Sequence, residues 1–279
     1  MSDKDAGTPR LFLIRHGRPE LYGLGISSRC SYPEESLLSL LWPPPSFQLT
    51  QATLFLGETE WSRNGRYTGI SDIPLLPEGE EKVRQTASVV FGGGRLIDPS
   101  KLTSILCSPR KRARRTLEIL LEQIQDAGTR ETLERKTNVT EEIAEWGYGD
   151  YEGLYTHQIQ ELRKSRGLDK ERAWDIWRDG CEGSGGESAA QVQARLDGLI
   201  SQITSIHQEA LEKGDRKSDI VVIAHGHILR AFVKRWLQFD MGARLELMLE
   251  PGGVCGLSYA HGHIAQRAVL VGMSFPSST

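Results

Sequence analysis

The sequence has few cysteines, no long apolar run and no strong excess of either charge. Its cysteines form no CxxC pair and have no histidine at the spacing of zinc sites, which argues against a disulfide scaffold and the common zinc domains. They are Cys30, Cys107, Cys181 and Cys255. No stretch approaches the ~20 apolar residues that a membrane-spanning helix needs. The net charge of -3 argues against a strongly basic nucleic-acid binder.

The composition is that of an ordinary globular protein. Apolar residues make up 38% of the 279 residues and charged residues 25%, and this length suits one large domain or two small ones. The first ten residues, MSDKDAGTPR, lack the apolar stretch of a signal peptide. We therefore expect a soluble cytoplasmic protein with reduced thiols, with the nucleus as a second compartment to consider.

Short apolar runs alternate with amphipathic helices along most of the chain. The sequence predicts helices at residues 77–90, 109–124 and 191–211 and after residue 227, and strands at 11–14, 104–107, 220–224, 254–259 and 268–271. The run IVVIA at 220–224 is typical of a strand that is buried on both faces. This alternation predicts an α/β fold, a three-layer sandwich with a mainly parallel central sheet flanked by helices.

Residues 18–57 interrupt this pattern. They show no steady period and contain the triplet PPP at 43–45, which stops a helix or a central strand. A structureless loop of this length is uncommon inside a compact domain. We therefore expect a single domain over residues 1–279 that is interrupted by an irregular insertion at 18–57.

Three of the predicted strands end in polar, reactive sequences. LFLI is followed by RHG, ILC by SPR and VVIA by HGH. Functional groups gather at the carboxyl ends of strands in open α/β sheets, so we expect these three sequences to meet. A lone histidine is more often structural. Two histidines that each directly follow a buried strand, His16 and His225, favour a functional role.

Four motifs, in this order, resemble the histidine phosphatase superfamily, whose fold is phosphoglycerate-mutase-like. They are RHG at 15–17, SPxxRAxxT at 108–116, Glu145 within AEWGYGDYEG, and AHGH at 224–227. Residues 65–75, 161–182 and 249–261 are also similar to the fungal sedoheptulose-1,7-bisphosphatase branch. The resemblance covers most of the chain. It implies a metal-independent phosphatase without a cofactor that converts a sugar bisphosphate such as sedoheptulose 1,7-bisphosphate to sedoheptulose 7-phosphate.

The resemblance also implies a catalytic role for five residues. His16 would attack phosphorus and form a phosphohistidine. Arg15 and Arg112 would bind the non-bridging phosphoryl oxygens, since a planar guanidinium matches them with two hydrogen bonds. His225 would face them as a cation that stabilises the anionic transition state. Glu145 would protonate the leaving alkoxide and then deprotonate the attacking water.

Eight further residues are expected to bind the substrate by the same resemblance. They are Glu58, Thr59, Thr68, Gly69, Ser108, Arg110, Glu187 and Ser188. A bisphosphate also needs a second cationic site, for which the candidates are Arg66, Arg110, Arg163, Lys164, Arg166, Lys170 and Arg172. Leu76 stands where the superfamily often has threonine, which predicts a weakly capped helix start. The expected partner is a small sugar phosphate, and we expect binding to neither nucleic acid nor a membrane. Whether the protein forms a homo-oligomer stays open.

The first motif departs from the family pattern. The family continues RHG directly with a segment like ETEWS, which begins here only at Glu58. Two explanations stay open for residues 18–57: a translated intron, which we favour, and a genuine lineage-specific lid.

Other interpretations stand beside these assignments. The basic run at 110–115 could bind nucleic acid, although it falls at a helix start in an acidic protein. His227 is expected to cap or pack a helix rather than to act in catalysis. The protein could instead be a phosphoglycerate mutase or a phosphatase for another sugar phosphate. It could also be an inactive binding protein whose pocket the insertion has spoiled.

Overall fold

The computed structural model describes residues 8–15, 59–215, 217–249 and 251–270. The insertion expected at 18–57, the nucleophile His16 and the substrate residue Glu58 therefore lie outside the described residues. The strands are β1 (Leu11–Arg15), β2 (Leu102–Cys107), β3 (Thr137–Val139), β4 (Asp219–Ala224), β5 (Val254–Tyr259) and β6 (Arg267–Leu270). The helices are α1 (Glu60–Asn64), α2 (Pro77–Val90), α3 (Lys111–Glu122), α4 (Ala127–Arg135), α5 (Thr156–Ser165), α6 (Ile176–Asp179), α7 (Ala189–Lys213) and α8 (Gly226–Trp236).

The six strands form one mixed sheet in the order β3-β2-β4-β1-β5-β6. Strands β3, β2, β4 and β1 run parallel, whereas β5 pairs antiparallel with both β1 and β6. All residues of β1 and β4 are buried, as their continuous apolar runs predict. The sheet is therefore mainly parallel, and among the described strands only β5 runs against the others.

Side chains that alternate along the central strands build a core on each face of the sheet. Leu11 and Leu13 of β1 join a core with the buried residues of α7 and α8. Phe12 and Ile14 point the other way, into a core with residues of α2 and α3. This follows from the period of two along a strand. Full burial of such a side chain contributes about 1.5–3 kcal/mol. The expected three layers, helices on both faces of a sheet, are confirmed.

Helix α7 has clear signals at both of its ends. Ser188 accepts a hydrogen bond from the Gln191 amide, and the Gln191 side chain accepts one from the Ser188 amide, so that the two form a capping box. Gly214 ends the helix with φ of 64°, in the left-handed region where glycine has no steric penalty. By contrast, the N-cap residue of α2 is Leu76, which provides no side-chain cap, as the sequence predicts.

The sequence patterns missed β3, α1, α4, α5 and α6. Of the side chains on α4, the structure buries only that of Leu133, so no apolar stripe marks the helix. Helix α5 buries Ile159 and Arg163, and the charged residue breaks its apolar period. Within the described part of the chain, no helix has the length and apolar character needed to cross a membrane.

Candidate active site

Strands β2, β4 and β1 bring three polar sequences to one edge of the sheet. Arg15 pairs with Ala224, the residue before His225, and Cys107 pairs with Ile223. Ser108 follows Cys107 and donates its amide to the Ile223 carbonyl at 3.0 Å. The convergence expected from the strand ends is present for these described residues.

His225 is buried and bonded through both ring nitrogens. Its Nε2 lies 2.6 Å from the Ser108 hydroxyl oxygen. Its Nδ1 accepts a hydrogen bond from Arg112 Nε at 3.2 Å. Arg112 thus contacts one ring nitrogen of His225, and Ser108 contacts the other. The positive charge expected of His225 from the sequence stays a prediction.

The Arg112 guanidinium joins His225 to the backbone of residues 68–71, which we call the 68–71 loop. Its Nη1 donates to the Ser71 carbonyl at 2.8 Å, and its Nη2 donates to those of Thr68 and Gly69 at 2.9 and 3.1 Å. Burial lowers the pKa of Arg112, and the nearby charges of Glu145, Tyr148 and Glu152 oppose that effect. Arg112 thus places a buried positive charge beside His225.

Arg15 lies against the start of α8. Its side chain is 4% exposed, and its Nη1 donates to the Leu249 carbonyl at 2.6 Å. A Cβ atom on Gly226 would lie only 2.9 Å from Arg15 Nη2. The absence of a side chain at position 226 therefore leaves the space that this guanidinium occupies.

Glu145 binds the same end of α8. Its carboxylate accepts hydrogen bonds from the amides of His227 at 3.1 Å and Ile228 at 2.9 Å, in the first turn of the helix. It also accepts from the amide of Trp146 at 2.9 Å. A carboxylate is favourable at a helix N-terminus, where unpaired N–H groups carry partial positive charge. The first turn of α8 therefore binds Glu145 through its amides, and the Arg15 guanidinium packs against Gly226 in the same turn.

The 68–71 loop is held from its other side by Glu152. Both carboxylate oxygens of Glu152 accept from the Gly69 amide, at 2.9 and 3.0 Å, and one of them also accepts from the Ser71 amide at 2.9 Å. Sequence reasoning missed Glu152, although it lies within the motif that holds Glu145.

His227 has the packing role that the sequence predicts. Its Nδ1 lies 2.8 Å from the Tyr148 hydroxyl, and its ring stacks on Tyr67 at 5.6 Å between centroids. Trp177 is tilted against the same ring, and Lys234 Nζ lies 3.8 Å from the centroid of Trp177. These aromatic side chains pack around His227, the second residue of α8, and so support the start of that helix.

The remaining substrate candidates differ in their surroundings. Thr59 is buried. The Arg110 side chain forms an ion pair with Glu141 at 3.2 Å, and its buried Nε has no hydrogen-bond partner among the described residues. Glu187 accepts from the Gly147 amide at 2.7 Å and forms an ion pair with Arg195 at 2.8 Å. Ser188 caps α7. The contacts of Glu187 and Ser188 are thus those of structural residues.

Several candidates for a second cationic site are already bound to carboxylates. Arg163 is buried against Asp169 at 2.7 Å. Arg166 pairs with Asp150 and Glu182, and Arg172 pairs with Asp179. Arg66 donates to the Gly153 carbonyl at 2.8 Å and lies over the Tyr155 ring. Arg66 has no carboxylate among these contacts, and Arg110 bonds one exposed carboxylate, Glu141, and stands two residues after Ser108. These two stay candidates, together with Lys164 and Lys170.

The basic run at 110–115 has acidic neighbours. Lys111 lies 3.7 Å from Asp72, and Arg115 bonds Glu80 at 2.8 Å. Arg112 is buried. Such pairing favours a structural role over a nucleic-acid patch. Among the residues that the structure describes, no group of three or more His, Cys, Asp or Glu side chains could hold a metal ion.

Comparison with known proteins agrees with this geometry. A family model described as the histidine phosphatase superfamily (branch 1) matches residues 57–270. The chain belongs to this superfamily. Sedoheptulose 1,7-bisphosphatase of Saccharomyces cerevisiae is 38% identical over 253 residues, covering 79% of this chain and 91% of the yeast protein. An acid phosphatase of Mycobacterium tuberculosis is 34% identical over 216 residues, covering 77% and 88%.

Solved structures share the histidine phosphatase fold. The product of an open reading frame of Mycobacterium tuberculosis aligns with a TM-score of 0.58 at 26% identity, over 94% of this chain and 96% of that one. An Escherichia coli protein described as a putative alpha-ribazole-5'-P phosphatase aligns with a TM-score of 0.59 at 17% identity, over 95% of each chain. The superfamily match and the likeness to the yeast protein together show that the protein is an enzyme of the phosphatase class.

Proposed function

We propose that this enzyme removes one phosphate from a sugar bisphosphate, sedoheptulose 1,7-bisphosphate, at carbon 1, leaving sedoheptulose 7-phosphate. The observation that carries the proposal is the group formed by Arg15, Arg112, His225 and Glu145 at one sheet edge. The likeness to the yeast bisphosphatase supports the choice of substrate.

His16 is the nucleophile of the proposed first step. An imidazole nitrogen forms a bond to phosphorus while the bond between phosphorus and the sugar oxygen breaks. The sugar oxygen takes a proton from Glu145 and leaves as an alcohol. In the described structure Arg15 follows four buried residues of β1, which places the start of the motif at the sheet edge.

Positive charge and hydrogen-bond donors serve both steps. Arg15 and Arg112 supply positive charge where the phosphoryl oxygens become most anionic, and His225 adds its ring N–H. In the second step water attacks phosphorus, the bond to His16 breaks, and Glu145 takes the proton from water. Inorganic phosphate and free His16 result. Positioning and electrostatics dominate such reactions.

A second phosphate requires a cation away from the reacting one. Arg110 fits this role because it precedes α3, two residues after Ser108, and has an unpartnered Nε among the described residues. Arg66 is another candidate. We expect Arg110→Ala to raise KM for the bisphosphate more than for a monophosphate.

A panel assay tests the proposal. Purified protein is incubated with sedoheptulose 1,7-bisphosphate, other sugar phosphates and phosphoglycerates, and released inorganic phosphate is measured. We expect the highest kcat/KM for sedoheptulose 1,7-bisphosphate, one phosphate released per molecule, and no release by His16→Ala. Unchanged release by His16→Ala would contradict the mechanism.

Other outcomes would identify the competing functions. A 2,3-bisphosphoglycerate-dependent phosphoglycerate mutase of Treponema pallidum is 26% identical over 221 residues, covering 70% of this chain and 81% of that protein. Phosphate exchange between phosphoglycerates, without release to water, would indicate a mutase and overturn the proposal. No turnover of any phosphate ester would indicate a binding protein. Preference for another sugar phosphate would overturn the substrate alone.

A further inference from the structure

We propose that Glu152 is a positioning residue for the phosphatase reaction. It holds the 68–71 loop, and the loop in turn sets the orientation of Arg112 and His225. The proposal rests on the proposed function, which places Arg112 and His225 at the transferred phosphate.

Glu152 and Arg112 both hold the loop through its backbone. On one side Glu152 accepts the amides of Gly69 and Ser71, at distances between 2.9 and 3.0 Å. On the other side Arg112 donates to three carbonyls of the loop, those of Thr68, Gly69 and Ser71. The amides and carbonyls of one short segment thus connect a carboxylate to a guanidinium.

The connection continues to the reacting centre. Arg112 Nε donates to His225 Nδ1 at 3.2 Å, which orients the ring so that Nε2 lies 2.6 Å from Ser108 Oγ. A shift of the loop carbonyls would therefore move the guanidinium and change the ring orientation. Errors of about 1 Å in such groups can cost about 100-fold in rate.

The loop has little room in which to move. A Cβ atom on Gly69 would lie 2.6 Å from the Trp146 carbonyl oxygen and 2.9 Å from the Glu152 carboxylate. Trp146 directly follows Glu145 in the chain. Beyond the loop, Asp72 accepts the Lys111 amide at 2.7 Å, at the start of the helix that carries Arg112. Loop, helix start and Glu145 segment are thus packed as one unit.

Charge supports the same role. Arg112 is 1% exposed, and the Glu152 carboxylate is one of the negative groups that act on its guanidinium. A neutral amide at position 152 would remove that charge. It would also place an NH2 group where one carboxylate oxygen now accepts from the Gly69 amide.

The test compares Glu152→Gln with Asp150→Asn. Asp150 lies two residues away and pairs with Arg166, so its variant reports generic loss of a carboxylate from this segment. With p-nitrophenyl phosphate as the probe, which has no second phosphate, we expect E152Q to lower kcat about 10- to 100-fold, as for a misplaced catalytic group. KM should change by less than about threefold, because positioning acts on the transition state. D150N should keep wild-type kcat.

A double-mutant cycle with Arg112→Lys separates positioning from mere structural support. If Glu152 acts through Arg112, then E152Q should lower kcat by no more than about threefold in the R112K background, because coupled residues are not additive. Multiplicative losses would overturn the proposal, as would wild-type kcat in E152Q. If E152Q fails to fold, Glu152→Asp, one methylene shorter, enters the same cycle with the same expectations.

The cycle also distinguishes this proposal from the proposed function. If R112K loses activity and E152Q does not, only the role of Glu152 is wrong. If R112K keeps wild-type kcat, the catalytic role of Arg112 is wrong, and the positioning proposal is overturned with it. Preference for another sugar phosphate affects neither result, because the probe does not depend on the sugar.

Discussion

Gly226 and Arg15 lie so close together that a side chain at position 226 would collide with the guanidinium. A Cβ atom there would be 2.9 Å from Arg15 Nη2, 3.1 Å from Cζ and 3.2 Å from Nε. Gly226 is the first residue of α8, whose next two amides bind Glu145. One helix start thus sets the positions of a cationic and an acidic group.

Substitution of Gly226 by alanine should therefore impair activity without unfolding the protein. We expect kcat/KM to fall about 10- to 100-fold, because Arg15 must shift from its place. Thermal unfolding should change little, since alanine is the better helix former.

Gly198→Ala is the matched control, because Gly198 is an exposed glycine inside α7, and a Cβ atom there would meet no other atom within 4 Å. Gly198→Ala should raise the free energy of unfolding by up to about 1 kcal/mol and keep full activity. Wild-type kcat/KM in G226A would contradict the steric argument.

The sequence was sufficient to predict how the strand ends meet. Arg15, Ser108 and His225 each follow an apolar run, and parallel strands bring their carboxyl ends to one edge. The pattern of apolar residues therefore predicted the central strands and the position of these groups, but not β3 or the shorter helices.

Contacts to backbone atoms were beyond sequence reasoning. Glu152 binds amides of Gly69 and Ser71 that precede it by more than 80 residues, and every residue type except proline has such an amide. The orientation of the His225 ring likewise depends on a single hydrogen bond from Arg112. Such details follow from packing geometry, which periodicity does not encode.

The uncapped start of α2 should be open to stabilisation. Leu76 occupies the N-cap position with extended backbone angles and offers no side-chain acceptor. Leu76→Ser supplies an acceptor for the first-turn amides, so we expect it to be about 1 kcal/mol more stable than Leu76→Ala. Comparison of these two variants cancels the loss of the leucine side chain. Urea unfolding measures the difference, and equal midpoints for the two variants would show that the cap does not form.

Acid should destabilise the protein partly through His207. This residue is fully buried, its Nδ1 lies 2.8 Å from the Tyr259 hydroxyl, and burial lowers the pKa of His207 to about 4. The unfolded chain binds a proton at this histidine near pH 6.5, whereas the folded chain does so only near pH 4. The stability that His207 contributes in its neutral form is thus fully present above pH 6.5 and is lost as the pH falls to 4. The loss is up to about 3 kcal/mol, at 1.36 kcal/mol per pKa unit.

His207→Gln removes this titration. We expect its free energy of unfolding to fall less steeply than that of the wild type between pH 6.5 and 4. His157→Gln is the control, because His157 is exposed on α5, and it should retain the wild-type slope. Identical slopes for H207Q and the wild type would show that His207 does not drive the acid sensitivity.

Residues 18–57 provide the remaining prediction, because they follow directly on the motif that contains the proposed nucleophile. The superfamily match starts at residue 57, one residue before the sequence resumes the family pattern at Glu58. A variant that joins Gly17 to Glu58 should therefore restore the continuous phosphate loop, with kcat/KM raised about 10-fold or more, as better placement of reacting groups allows. The full-length chain, assayed in parallel, is the reference.

Transcript reads that splice from codon 17 to codon 58 would agree with a translated intron. Abundant transcripts that retain these codons, together with lower activity of the shortened variant, would instead show that the insertion belongs to the working enzyme.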